Sequence, residues 1–241
     1  PLGAIILPDD VREAVELMIE TSRHYSKLRT SLRYLLEGDA GCGKTETTRA
    51  VIRACEGFVT VLIVESTVDV VQLFDYAQLY EPSLVCIDDL DIQFGDRRDV
   101  ANREQLAEFL TAMDGIRTNS VFVIGTINQK QYLDAAASRP HRWDAILKIS
   151  APDSLSYVKL IRQRCQNEKI TELFTPQVIE SMASRSVSGA FIITLLKRLQ
   201  LSAALTHELL SEEFVLTTID RLNNGFNKAS DSGDKPVGFG G

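Results

Sequence analysis

The chain has 241 residues, 44% of them hydrophobic and 24% charged, and its 26 basic against 33 acidic side chains leave a net charge of −7. That length allows one large domain or a medium domain with a small companion, and the acidic balance argues against a domain built to grip a nucleic-acid backbone. No apolar run approaches the ~20 residues that a membrane-spanning helix needs, and the stretch before Asp9 and Asp10 is too short for a secretory leader.

In chain order, residues 9–28 predict an amphipathic helix: Val11, Val15, Met18, Ser22 and Tyr25 recur at helical spacing, with acids in the first turn after Pro8. Residues 32–36 read as a short apolar strand, a glycine-rich loop follows, and 44–55 have helical character. Residues 58–64 are a β-branched run and hence a buried strand. Then come a helix over 69–80, a strand over 83–87 that ends in acids, a helix over 103–113, and strands over 121–126 and 145–149. Strands alternating with helices imply an α/β fold over residues 1–150, its parallel sheet covered on both faces. Past Pro152 only helices are expected, over 154–166, 175–183, 189–205 and 211–222, which predicts a small all-helical domain over 151–226. Residues 227–241, rich in Gly, Asp and Ser, read as a flexible tail. The cysteines Cys42, Cys55, Cys86 and Cys165 are scattered without metal-type spacing, which predicts free thiols and a reducing intracellular compartment, the cytoplasm.

Gly38-Asp39-Ala40-Gly41-Cys42-Gly43-Lys44-Thr45 fits G-x-x-x-x-G-K-[ST] in full, between a predicted strand and a predicted helix. Its glycines let backbone N–H groups converge on phosphates, and the helix N-terminus adds its dipole. The pattern implies ATP bound with Mg²⁺: Lys44 reaches the β- and γ-phosphates, the Thr45 hydroxyl ligates the metal, and Glu46 extends the binding stretch. Asp39 and Cys42 stand where small neutral residues are expected. Asp39 would weaken nucleotide affinity if it pointed inward, and Cys42 is either an inert small residue or an oxidation-sensitive one. A second apolar strand delivers Asp88 and Asp89 to the carboxyl edge of the sheet, where ligands of open α/β sheets bind. Asp88 suits magnesium held through water, and Asp89 suits polarising the attacking water.

With both motifs in place, the chain resembles the AAA family of AAA+ ATPases within the P-loop NTPase superfamily. Ile87-Asp88-Asp89-Leu90-Asp91 resembles D-E-[IL]-D, residues 110–115 resemble L-x-x-M-D-G, and Val123-Ile124-Gly125-Thr126-Ile127-Asn128 resembles V-I-x-x-T-N. Residues 133–144 resemble L-D-x-A-x-x-R-P-G-R-F-D, with Arg139-Pro140-His141-Arg142-Trp143-Asp144 at its end. The likeness extends over roughly residues 30–200. It implies that Asn128 is the polar sensor at the γ-phosphate. It also implies that Arg139 and Arg142 are arginine fingers acting on the nucleotide of a neighbouring subunit in a homo-oligomer, a hexameric ring. It further implies that Gly189 and Ala190 open a lid helix near the base and ribose, and that Ile5 and Ile6 take the place of a short segment against adenine.

Three departures qualify these implications. Asp89 stands where the family has Glu, so the carboxylate sits about 1.3–1.5 Å further back, and a misplacement near 1 Å can cost up to ~10²-fold. The segment between Glu65 and Phe74 is short and has neither aromatic nor glycine, so an aromatic pore loop is not evident. The short loop resembles the Bcs1-like branch, a likeness that carries no substrate with it. Residues 93–98 read as a solvated charged loop rather than a pore lining. His141 and Trp143 replace the family's Gly and Phe, with Trp143 expected in the core. The function these features imply is a ring-forming ATPase that remodels a protein partner. The alternatives are an ATP-gated switch on DNA, which the acidic charge disfavours, and a slow or non-hydrolysing ATP-binding subunit.

Overall fold

The computed structural model describes all residues except 1, 2, 4, 65–69, 94–107, 110, 116–118, 129–141, 206–209 and 232–241. The expected pore-loop segment, the loop after Gln93, most of the predicted 103–113 helix, Arg139 and His141 therefore lie wholly or largely outside the described residues. The chain divides into two units, residues 1–150 and 151–241.

The first unit is built on five parallel strands: β1 (Arg33–Glu37), β2 (Thr60–Val64), β3 (Ser83–Ile87), β4 (Val121–Ile127) and β5 (Ala145–Lys148), in the order β2-β3-β4-β1-β5. Side chains alternate between the two faces with period two. Leu35, Val85, Ile87, Val121 and Val123 join one core with Phe74, Phe109 and Trp143. Tyr34, Leu36, Leu84, Cys86, Phe122 and Ile124 join another with Val11, Val15, Met18 and Val51. Because both faces are buried, β3 and β4 are apolar along most of their length, with Ser83 and Thr126 as their polar residues. Helices α1 (Asp9–Arg23) and α3 (Lys44–Cys55) cover the second face, and α4 (Val70–Leu79) the first. Residues 108–109 and 111–115 are helical and add Phe109 and Met113 to the first core.

Some boundaries differ from expectation. The helix predicted over 9–28 breaks at His24, which leaves helical geometry at φ −104° and ψ 17° before a short α2 (Tyr25–Leu28). Strand β2 starts at Thr60 rather than at 58, because Gly57 at φ 82° closes a turn in which Phe58 N–H donates to Cys55 C=O at 3.0 Å. A four-residue helix, α5 (Leu90–Gln93), directly follows the acids and is too short for periodicity to announce.

The second unit is helical: α6 (Ser154–Arg164), α7 (Glu168–Thr171), α8 (Pro176–Ser184), α9 (Gly189–Leu205) and α10 (Glu212–Asp231). Caps set its helix starts. The Asp153 carboxylate accepts Ser156 N–H at 2.7 Å, and Thr175 precedes Pro176 at the first helical position of α8. Its buried side chains include Tyr157, Met182, Ile192, Leu195, Leu199, Val215 and Ile219. Tyr157 is fully buried and satisfies its hydroxyl on Val187 C=O at 2.9 Å. Helix α10 runs through Asp231, past Asn227, where the tail is expected to begin. Among the described residues no helix is long and apolar enough to cross a membrane, and all four cysteines are free.

Candidate functional site

The register of the sheet decides which side chains meet. Glu37 of β1 lies level with Ile127 of β4, and Ile87 of β3 lies level with Gly125 of β4. At one sheet edge, therefore, β1 releases Gly38, β4 releases Asn128, and β3 releases Asp88 and Asp89. Strand β4 stands between the loop strand and the acidic strand. Its last residues therefore lie between the two.

The loop leaving β1 needs its glycines for separate reasons. A Cβ on Gly38 would lie 2.1 Å from Ile149 C=O, so no side chain fits there. Gly43 sits at φ 103°, in the left-handed region, immediately before α3. Asp39, Ala40 and Gly41 are exposed, and Cys42 is half-buried. Lys44 is only 5% exposed. Its ammonium donates to Gly38 C=O at 2.7 Å, to Asp39 C=O at 3.1 Å and to Asn128 Oδ1 at 2.8 Å, which uses all three of its protons. Glu46 points away to the surface and pairs with Arg49 at 2.8 Å. Burial pushes the Cys42 thiol up, and the charge of Asp39 pushes it further, which disfavours the thiolate.

On the other side of β4 the Thr45 hydroxyl donates to Asp88 Oδ2 at 2.9 Å. The Thr126 hydroxyl donates to Asp88 Oδ1 at 2.5 Å and accepts Asp89 N–H at 2.8 Å. Asp89 adopts φ 50°, and its Oδ1 accepts from Asn128 Nδ2 at 3.2 Å. The Asn128 amide thus bridges Lys44 on one side and Asp89 on the other, while its own N–H donates to Asp91 Oδ2 at 3.1 Å.

A buried ammonium beside a glycine loop at a helix start is an anion site, suited to phosphate. The Thr45 and Asp88 oxygens, 2.9 Å apart beside it, form a hard donor pair of the kind magnesium takes. Among the described residues no cluster of three or more His, Cys, Asp or Glu could hold a metal alone.

The structure brings Lys44, Thr45, Asp88, Asp89 and Asn128 together. Ile5 packs against the core cluster that Cys42 also joins, and Ile6 is half-buried. Gly189 and Ala190 open α9 in the other unit, where the Ser188 hydroxyl accepts Phe191 N–H at 3.3 Å. Arg142 is engaged within its own chain, its Nε and Nη2 gripping both oxygens of Asp114 at 3.0 and 2.7 Å. Trp143 is a core residue, 7% exposed and 6.5 Å from Phe109 ring to ring. Sequence reasoning gave no role to Thr126 or Asp91. The signal was available in Thr126, a hydroxyl inside a wholly buried strand, since buried polar groups have partners.

The strand order, the glycine loop with its buried lysine, and the acids two strands away define a P-loop nucleoside triphosphatase. The sequence profile of the family described as ATPase family associated with various cellular activities (AAA) matches residues 34–151, from β1 through β5. The chain is 28% identical over 205 residues to a protein of Plasmodium falciparum (isolate 3D7) named "Putative cell division cycle ATPase", covering 78% of this chain and 16% of that protein. It is 29% identical over 244 residues to the proteasome-activating nucleotidase of Methanosphaerula palustris, covering 92% of this chain and 58% of the relative. Residues 34–151 are thus similar to the AAA family. The chain spans 16% and 58% of the lengths of these two relatives.

Proposed function

We propose that this chain binds ATP with magnesium and hydrolyses it as a subunit of a ring, and that the ring remodels a protein partner inside the cell. The observation that carries the reading is the continuous line Lys44–Asn128–Asp89. One amide, Asn128, couples the cation that meets phosphate to the carboxylate that would meet water. Lys44 would exchange its Asn128 bond for the γ-phosphate, which frees the Asn128 amide to orient the attacking water beside Asp89. Thr45 and Asp88 would hold Mg²⁺, which when bound supplies the positive charge that neutralises the phosphates. Gly189 and Ala190 would approach the ribose and base, and Ile5 and Ile6 the adenine. Arg139 and Arg142 would act on the nucleotide of the neighbouring subunit, in a hexamer by the family's habit. A relative named as a proteasome-activating nucleotidase favours a protein partner, and the net charge of −7 disfavours DNA.

The test is phosphate release and nucleotide affinity measured on the same samples, under conditions that permit assembly. Lys44→Ala is expected to abolish ATP binding. Asp89→Asn is expected to keep binding and lower turnover by at least ~10²-fold. Assembled wild-type protein that releases no more phosphate than the Lys44→Ala variant would overturn the hydrolytic part and leave an ATP-binding subunit.

A further inference from the structure

The remaining question at this site is how a chain with aspartate at position 89 sets that carboxylate. Consecutive residues of an extended strand point to opposite faces, so Asp88 and Asp89 cannot both serve one site if β3 simply continues. The structure assigns the solution to Thr126, which we propose is the positioning residue for both acids; the inference rests on the nucleotide-site reading above.

Thr126 is fully buried and lies in β4. Its even position places it on the face of Phe122 and Ile124, the side that α3 and Thr45 occupy. Since Ile87 is level with Gly125, the next residue along, Asp88, comes out level with Thr126. The hydroxyl has one proton, and it goes to Asp88 Oδ1 at 2.5 Å. Asp88 is then held on both oxygens, from β4 by Thr126 and from α3 by Thr45 at 2.9 Å. The hydroxyl's lone pairs face the next residue and accept Asp89 N–H at 2.8 Å. That bond fixes Asp89 at φ 50°, a left-handed conformation that non-glycine residues seldom hold without support. The left-handed turn breaks the strand alternation and brings Asp89 Oδ1 to Asn128 at 3.2 Å. One hydroxyl therefore sets the orientation of the metal-side acid and the backbone of the water-side acid. Both bonds of the Thr126 hydroxyl go to the two acids.

The test uses Thr126→Val, which keeps the shape and removes the hydroxyl, and Thr126→Ser, which keeps the hydroxyl. Folding is checked by thermal melt, and Thr126→Ala is read instead if the valine variant does not fold. Thr126→Val is expected to bind ATP as the wild type does when Mg²⁺ is absent. It is expected to need more Mg²⁺ for tight binding and to lose about 10- to 100-fold in kcat with a smaller change in KM. The Asp89 amide, which donates to Thr126 at 2.8 Å, is expected to be protected from hydrogen exchange in the wild type and to exchange faster in the variant. Thr126→Ser is expected to restore all three. If Lys44→Ala abolishes ATP binding while Thr126→Val retains wild-type Mg²⁺ dependence, kcat and Asp89 exchange, the Thr126 assignment alone fails. If Lys44→Ala leaves ATP binding intact, the nucleotide site is wrong and the proposal falls with it.

Discussion

Cys86 shows how burial governs chemistry at single positions in this fold. It sits in β3, 2% exposed, two residues before Asp88, and burial pushes its thiol up to about 12. The thiolate is the disfavoured form in the folded state, so the folded chain holds this proton more tightly than the unfolded chain does. The contribution to stability is full below the unfolded thiol's pKa, near ~8.5, and is lost as pH rises towards the folded value. The expected slope from this one group is about 1.4 kcal/mol per pH unit over that window. Other groups titrate there as well, so the measurement is a difference: urea melts of wild type and Cys86→Ala at pH 8 and pH 10.5. Their gap should narrow as the pH rises, and a gap independent of pH would refute the shift. Lys44 and Asp88 could be picked from the sequence because their roles follow from residue type and spacing. Thr126 could not, because its role depends on which residue of β3 stands beside it, and register is a property of two strands together.

At the scale of elements, the well-predicted segments are those whose ends carry their own punctuation. Helix α3 begins directly after Gly43, and β3 is bounded by Pro82 and the acids. Helix α9 begins after Ser188, whose hydroxyl caps it. The less well-predicted segments are those where a turn competes with a periodic pattern, as at His24 and at Gly57. The placement of β5 is a further case in which pairing information lies outside the segment. Asp144, just before β5, accepts Arg33 N–H on its carboxylate at 2.7 Å and donates its own N–H to Arg33 C=O at 2.8 Å. This two-way clasp fixes where β5 starts against β1, and β5 in turn leads to Ile149, whose carbonyl closes on Gly38. Asp144→Ala is expected to lower the unfolding free energy by about 1 kcal/mol, the value of one such hydrogen bond. The drop should be seen in denaturant melts, with Asp144→Asn losing less because it keeps an acceptor oxygen.

At the scale of the whole molecule the open issue is which chain completes the site. Within one chain the Lys44 side is assembled down to hydrogen-bond distances, whereas Arg142 is tied to Asp114 of its own chain. An arginine finger acting in trans would need this guanidinium to serve a different subunit's nucleotide, a division of labour that subunit mixing can expose. Lys44→Ala subunits lack a working phosphate site but keep Arg142, and Arg142→Ala subunits have the opposite defect. Each variant alone is expected to be nearly inactive as an assembly. If the finger acts in trans, a random equal mixture makes about one interface in four complete, pairing an intact Lys44 with a neighbour's intact Arg142. Phosphate release should then rise well above the mean of the two pure variants. If Arg142 acts only within its own chain, every subunit in the mixture still lacks one half of the site, and the mixture should release no more phosphate than that mean. In that event the Asp114 pair is the purpose of Arg142, and the search for a trans cation narrows to Arg139.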